Sequence, residues 1–140
     1  MQPTFVTLAC PDLPLARAFY EAMGLVASEK SNERVVFFGL DGLILSLYGV
    51  EALATDAGVP VSADAGTARI ALAHNVRQKE DVQLWLDKAQ SAGGRITVPA
   101  SDVFWGGHRG YFVDPAGHAW EVAWNPFLEW DADGRPVLSA

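Results

Sequence analysis

Cysteine is almost absent from this sequence: Cys10 is the only one in 140 residues, so the chain cannot form an internal disulfide. Basic residues are also scarce, since 10 Lys and Arg face 17 Asp and Glu and give a formal net charge of -7. An acidic chain without a basic stripe is a poor partner for nucleic acid or an anionic membrane surface. A single thiol is typical of a reducing compartment, so we expect a cytoplasmic protein.

Long hydrophobic runs are missing as well. The longest, Val35 to Leu40 and Leu43 to Tyr48, are far shorter than the roughly 20 residues of a membrane helix. The N-terminus shows neither the basic region nor the apolar region of a signal peptide. With 50% hydrophobic and 19% charged residues, the composition is that of a soluble globular domain. We expect residues 1–140 to form one domain.

The two halves of the chain repeat one order of elements. Each half shows a strand pattern, an amphipathic helix and then further strands, which predicts two βαβββ modules and an α+β fold class. Asp12 is a candidate N-cap for the first helix, and Gly24 follows its end. One strand, at residues 27–30, is weakly marked. The predicted helices span residues 13–23 and 80–92. The predicted strands of the first half span residues 5–10, 35–38 and 43–48, and those of the second half span residues 69–74, 95–98, 110–113 and 118–124.

The predicted boundaries follow from this repeat. Module 1 covers about residues 4–50 and module 2 about residues 68–126, joined by a linker at 51–67 that is rich in Ala, Gly, Asp and Pro. The tail, 127–140, contains Asp133-Gly134 and can close a short hairpin. Each module has a helix on one sheet face only, so the uncovered faces must meet across a concave cavity within one chain or between two.

The segment from Gly110 to Asn125 is the most informative part of the sequence. Asp114 and Gly117 mark a tight turn between two strands. Beyond the turn, alternation places Glu121 on the sheet face opposite Trp120 and Trp124. A lone carboxylate among small residues is either a ligand-binding or catalytic group, or one half of a structural ion pair.

Together these segments resemble a known family. The opening residues 6–13, with Ala18-Phe19-Tyr20-Glu21-Ala22-Met23-Gly24-Leu25, and the closing residues 111–121 are similar to the vicinal oxygen chelate superfamily. That superfamily contains glyoxalase I, bleomycin-resistance proteins and extradiol dioxygenases. The resemblance covers roughly residues 4 to 126, and it implies paired βαβββ modules around a small-molecule site.

The resemblance also bears on metal binding. The metal enzymes of the superfamily place ligands on the opening and closing strands of each module, and the matching positions here are Phe5, Ser46, Glu121 and a residue at or near Arg69. Only Glu121 binds a divalent metal well, whereas an open catalytic site needs about three protein ligands. We therefore expect no metal and no other cofactor. The chain is more similar to the metal-free, bleomycin-resistance-like branch, which binds small molecules as a homodimer.

We predict a ligand site built from both modules. Small side chains on the face of Arg69 and Asn75 leave room for a ligand, whose polar end these two residues could bind; alternatively, Arg69 pairs with Glu121 and fills the cavity. Trp105 offers a flat stacking surface or packs under its loop, and His108 reaches a pocket mouth or is an exposed loop residue. The predicted ligand-binding residues are Phe5, Thr7, Arg69, Asn75, Trp105, His108, Tyr111 and Glu121.

Two further side chains are assigned to the helix-covered side. His74 alternates with Ile70 and Leu72, which favours a hydrogen-bonded core or edge histidine over a ligand. Cys10 falls with Val6 and Leu8, which favours a buried, inert thiol.

Three functions fit these residues. We favour metal-independent binding of a small, partly aromatic molecule at a homodimeric cavity. The alternative is a glyoxalase-like lyase or isomerase, or a dioxygenase-type enzyme, in which Glu121 is the catalytic general base, Arg69 stabilises an oxyanion and a divalent metal takes part or is absent. The third is an oligomerising module whose cavity is filled by its own side chains.

Overall fold

A computed structural model describes residues 4–58 and 70–137 of the chain. It has the expected α+β fold. The first half contains β1 Phe5–Cys10, α1 Leu13–Ala22, β2 Val35–Leu40, β3 Leu43–Gly49 and α2 Val50–Ala57. The second half contains β4 Ala71–Val76, α3 Asp81–Ser91, β5 Arg95–Asp102, β6 His108–Val113, β7 Ala119–Trp124, β8 Glu129–Trp130 and β9 Pro136–Val137.

Two main sheets follow the repeat seen in the sequence. Sheet 1 has the order β1-β3-β2, and sheet 2 has the order β4-β7-β6-β5. In each, the closing strand runs parallel to the opening strand and antiparallel to the strand before it. The closing strand therefore lies at the centre of its module. Strands β8 and β9 form the predicted terminal hairpin.

The ends of α1 confirm the predicted signals. The Asp12 carboxylate accepts a hydrogen bond from the backbone N–H of Leu15 at 2.9 Å, which satisfies one of the free N–H groups of the first turn. Gly24 takes a φ of 105°, a conformation that other residues rarely adopt, so the chain reverses there. Helix α1 ends at Ala22 and α3 at Ser91, each one residue before the predicted end.

Three predicted boundaries are wrong. The proposed linker begins with helix α2, which runs through a stretch of good helix formers and ends at Gly58 with a φ of 66°; the rest of that linker, and Arg69, lie outside the described residues. The weak strand at residues 27–30 is reduced to a single bridge between Ala27 and Phe38. Strand β5 extends to Asp102, beyond its predicted end at residue 98, because two register shifts let its 8 residues pair with the 6 residues of β6.

The main core lies between the helices and the faces of the two sheets that they cover. Phe19 and Tyr20 of α1 pack edge to face at 5.1 Å, and Phe19 also contacts Phe112 of sheet 2 at 6.1 Å. Cys10 belongs to this core with 1% exposure, and burial, together with the charge of Asp114, raises the pKa of its thiol to about 12. The prediction of a buried, inert thiol is confirmed.

A buried polar joint connects the two modules. The Tyr20 hydroxyl donates to the Asp114 carboxylate at 2.6 Å and accepts from the Trp120 indole N–H at 3.1 Å. The same carboxylate accepts the backbone N–H groups of Ala116 at 3.0 Å and His118 at 2.8 Å. Asp114 therefore closes its own turn and fixes α1 to sheet 2.

A second connection lies at the surface. Arg135, in the terminal hairpin, donates to both carboxylate oxygens of Asp41 at 2.6 and 2.9 Å. Asp41 belongs to the turn between β2 and β3, so the pair ties the tail to module 1. Among the described residues, no helix has the length and apolar character needed to cross a membrane.

Candidate functional site

The candidate site is the open face of sheet 2, on the side away from α1 and α3. Glu121 lies at its centre on β7, in register with Ala73 of β4 on one side and Tyr111 of β6 on the other. Alternation places Ala71, Ala119 and Ala123 on the same face. These small side chains surround Glu121, which is half-buried, and this placement among small residues agrees with the alternation of the sequence.

Tyr111 is the polar neighbour of Glu121. Burial raises the pKa of the Tyr111 hydroxyl, and the neighbouring Glu121 carboxylate raises that pKa further. Within the described part of the chain, Glu121 forms no ion pair with a lysine, arginine or histidine. Arg69 lies outside those residues, so its pairing with Glu121 stays a prediction.

Arg109 is a member of this face that the sequence analysis missed. Its guanidinium carbon lies 5.6 Å from the centre of the Tyr111 ring, and its Nη1 donates to Ser101 at 3.3 Å. The alternation that places Tyr111 on the open face also includes the residue two positions earlier. The sequence pattern, however, predicts that β6 begins at Gly110, which leaves Arg109 in the loop before the strand. In the structure β6 begins at His108.

Asn75 lies at the edge of the same face. It is in register with Ala123, is half-buried, and its side chain makes no hydrogen bond to any described residue. Its amide is therefore free to bind a polar group, and its role in binding stays a prediction.

Phe5 and Thr7 lie on the open face of the other sheet. Phe5 is 52% exposed and meets Phe37 edge to face at 6.3 Å. Thr7 shares a hydrogen bond with Ser46, whose hydroxyl is buried between the strands. The structure therefore places the predicted site residues on two separate sheets.

Trp105 and His108 are not brought to Glu121 by any described contact. The indole of Trp105 covers Gly107 so closely that a Cβ at that position would overlap the ring. His108 alternates with Gly110 and is in register with Trp124, on the face opposite Tyr111. Its Nδ1 lies 2.7 Å from Asp102, which also binds Lys79 at 2.7 Å.

The donor groups on the open faces do not fit a divalent metal. Ser46 and Glu121 occupy equivalent places in their sheets, since Ser46 is in register with Thr7 and Glu121 with Ala73. The same register makes Ala71, rather than Arg69, the counterpart of Phe5. Over residues 4–58 and 70–137, no three His, Cys, Asp or Glu side chains converge. A single carboxylate does not make a catalytic metal centre.

The helix-covered face holds His74, as predicted, but its surroundings differ from those expected. The imidazole packs edge to face on Trp85 at 4.4 Å and has no hydrogen bond to the described residues. Burial lowers the pKa of His74, and the nearby charge of Lys88 lowers it further. The ring is therefore neutral near pH 7.

Comparison with known protein families identifies the family of this chain. The sequence matches the model of the Glyoxalase/Bleomycin resistance protein/Dioxygenase superfamily over residues 3–122, so the chain belongs to that superfamily. This confirms the resemblance seen in the opening and closing segments. A search of curated protein sequences gives no significant match.

Solved structures agree with this assignment. A glyoxalase-related enzyme from Fulvimarina pelagi is 35% identical, with a TM-score of 0.89 over 100% of this chain and 99% of that one. A glyoxalase/bleomycin resistance protein/dioxygenase from Nocardioides is 22% identical, with a TM-score of 0.74 over 100% and 90% of the two chains. A lactoylglutathione lyase from Agrobacterium tumefaciens is 24% identical, with a TM-score of 0.67 over 89% and 93%. The last two share the fold.

Proposed function

We propose that this protein binds a small, partly aromatic molecule on the open face of sheet 2, without a metal. The observation that carries the proposal is the environment of Glu121. Its carboxylate is half-buried on a floor of alanines, has the Tyr111 hydroxyl as its neighbour and has no cationic partner among the described residues. Small-molecule sites are usually mostly apolar with a few convergent polar groups, and the alanines around Glu121 and Tyr111 have this composition.

The polar groups indicate the chemistry of the ligand. The Glu121 carboxylate would accept a hydrogen bond from an O–H or N–H group of the ligand, or bind a positive charge. Arg109, close to the Tyr111 ring, would bind an acceptor or an anionic group at the same end. The alanine floor favours a flat, apolar body, so the ligand combines an aromatic or alkyl part with a polar edge.

A homodimer would complete the site. The open face of sheet 1 is apolar, with Phe5 and Phe37 packed together and Phe5 half exposed. An apolar sheet face of this kind calls for a ligand or a partner. A second copy whose sheet 1 faces this sheet 2 would bring Phe5 and Thr7 over Glu121. Because Cys10 is the sole cysteine, we propose the cytoplasm as its location.

One observation favours an enzyme as the second candidate. The glyoxalase-related enzyme from Fulvimarina pelagi matches the full length of the chain at 35% identity. In a lyase or isomerase of this type, Glu121 would remove a proton from a carbon next to a carbonyl group, and the Tyr111 hydroxyl would donate to the developing oxyanion. Both candidates use the same face, and turnover of a bound compound separates them.

The first prediction tests Glu121. Native mass spectrometry of the purified protein, followed by a thermal-shift screen of small aromatic compounds, identifies a ligand. We expect Glu121→Gln to abolish its binding while lowering the melting temperature by less than about 3 °C, since roughly 1 kcal/mol shifts a domain of this size by about 3 to 5 °C. Glu29→Gln makes the same change at an exposed position and should keep binding.

A structural role for Glu121 gives the opposite result. A carboxylate that neutralises a buried cation would leave that cation unpaired on replacement, at a cost of about 3 to 5 kcal/mol. A fall in melting temperature of more than about 10 °C in Glu121→Gln, with Glu29→Gln unchanged, would therefore contradict the proposed site. About one tightly held metal per chain in elemental analysis would contradict metal independence.

A further inference from the structure

A second cavity lies behind the sheet that carries Glu121. Its volume is about 140 Å³, and α1, α3 and the helix-covered face of sheet 2 line it, leaving it partly open to solvent. Its walls are almost entirely aromatic and aliphatic, and they include Tyr20, His74, Trp85, Phe112, Trp120 and Val122. Trp120 and Val122 flank Glu121 on β7 but point to the other face, so the cavity is separated from the proposed site by the sheet.

The size and lining of this cavity suit one aromatic ring. Apolar cavities of about 150 Å³ stay dry and take up a benzene-sized molecule. Phe112 and Trp120 stack at 6.2 Å with an angle of 3° between their planes, so they present flat surfaces. Met23 and Leu25 also line the cavity and are only half-buried, which places its mouth near the end of α1.

One polar side chain in the wall keeps its hydrogen-bonding capacity. The Tyr20 hydroxyl is already engaged, as a donor to Asp114 and an acceptor from Trp120. His74 packs on Trp85 and has no hydrogen-bond partner among the described residues. A neutral imidazole offers one acceptor and one donor nitrogen. His74 thus provides a polar contact in an otherwise largely apolar wall.

We infer that this cavity is a second binding site, separate from the Glu121 face, for a neutral single-ring aromatic that carries one hydroxyl group and bonds to His74. Phenol is the simplest compound of this class. Toluene has nearly the same shape without the hydroxyl, so the two probes separate the apolar contribution from the hydrogen bond to His74.

The test is a titration of the full chain with phenol and with toluene, followed by two-dimensional ¹H–¹⁵N NMR. We expect saturable shifts of the Trp85 and Trp120 indole N–H signals with both probes, and tighter binding of phenol. His74→Leu should weaken phenol about tenfold and leave toluene unchanged. Gln90→Leu, at an exposed position of α3, should bind both probes like the parent protein.

A variant that fills the cavity covers the case in which His74→Leu does not fold. Leu25→Trp places a large ring at the mouth and should block both probes. Shifts confined to Glu121, Tyr111 and Ala73 would show that phenol binds the open face and would overturn the inference. Equal weakening of both probes in His74→Leu, no weakening of phenol, or no shift at the two indoles would also overturn it. The two proposals are tested separately. If Glu121→Gln does not change ligand binding on the open face, the proposed function is contradicted, but the phenol and toluene titrations still test the cavity.

Discussion

At the scale of single residues, Asp114 both closes its own turn and bonds a distant helix. Its side chain is 3% exposed, yet it accepts hydrogen bonds from the Tyr20 hydroxyl and from two backbone N–H groups. Burial opposes its ionisation, but the hydrogen bonds from His118 and Tyr20 outweigh burial and hold the pKa of Asp114 below its usual value. The turn motif was recognised in the sequence, but the contact with a helix 94 residues away was not predictable from local spacing.

We predict that Asp114→Asn lowers the free energy of unfolding by about 3 kcal/mol, because hydrogen bonds to a charged group contribute about 1.5 to 3 kcal/mol each and the amide replaces only some of them. Thermal or urea unfolding measures the loss. Tyr20→Phe removes one donor to Asp114 and one acceptor for the Trp120 indole; it leaves the other hydrogen bonds of Asp114 in place and should cost less. Equal losses in the two variants would mean that the hydroxyl alone accounts for the effect.

The pH dependence of this joint has a defined sign. The pKa of Asp114 is lowered in the folded state, whereas an aspartate in the unfolded chain has a pKa of about 3.9. The stabilisation is therefore complete above about pH 4 and is lost as the pH falls below it towards the folded-state pKa. The stability difference between the parent protein and Asp114→Asn should be constant from pH 5 to 7 and shrink below about pH 4. A difference that stays constant to pH 2 would contradict this account.

At the scale of elements, the contact between α3 and sheet 2 depends on Gly110. A Cβ at this position would lie 2.5 Å from Leu86 Cδ1 and 2.9 Å from the Val98 carbonyl oxygen. The helix and the irregular part of β5 thus approach β6 more closely than a side chain would allow. This close approach positions Arg109 and Tyr111, the neighbours of Gly110 on β6, on the open face.

We predict that Gly110→Ala costs about 1 to 3 kcal/mol in the free energy of unfolding, as expected for overpacking. Gly39→Ala is the matched control, since a Cβ at that position of β2 would have no neighbouring atom within 4 Å and should change stability by less than about 0.5 kcal/mol. Chemical denaturation of both variants measures the difference. Similar stabilities would show that α3 moves aside without cost.

The elements also show which features can be predicted from sequence. Residues with a strong period or a clear cap, such as those of α1, were placed to within one residue. Helix α2 was missed because it opens a stretch rich in Ala, Gly, Asp and Pro, a composition that favours a linker over a regular element. Strand β5 was predicted too short because a bulge breaks the alternation on which strand predictions depend.

For the candidate site too, local pattern predicted the features that depend on alternation and missed those that depend on contacts between distant residues. The position of Glu121 on a face of small residues followed from alternation alone, and the structure confirms it. The grouping of Tyr111 with Arg109, and the separation of His108 from both, depended on where β6 begins and on the bond between His108 and Asp102. Pairings between strands and hydrogen bonds between distant residues cannot be read from local pattern.

At the scale of the whole molecule, the two open faces predict a homodimer. Sedimentation at micromolar concentration should give about twice the 15.1 kDa mass of one chain. Phe5→Asp places a charge on the open face of sheet 1 and should shift the equilibrium to monomer. Leu84→Asp introduces the same charge at a 63% exposed site on α3 and should leave the dimer intact. A monomer of the parent protein across this range would contradict the prediction.

The polar joint at Tyr20 and Asp114 has a consequence for the chain as a folding unit. The two halves repeat one order of elements, but the joint is built from the helix of module 1 and the turn of module 2, and the corresponding turn of module 1 holds Asp41 at the surface instead. A fragment containing only the second module would lose both the tyrosine partner of Asp114 and the helix that covers this carboxylate. We therefore expect the two halves to depend on each other for stability, and the chain to unfold in one cooperative step, as small single domains usually do.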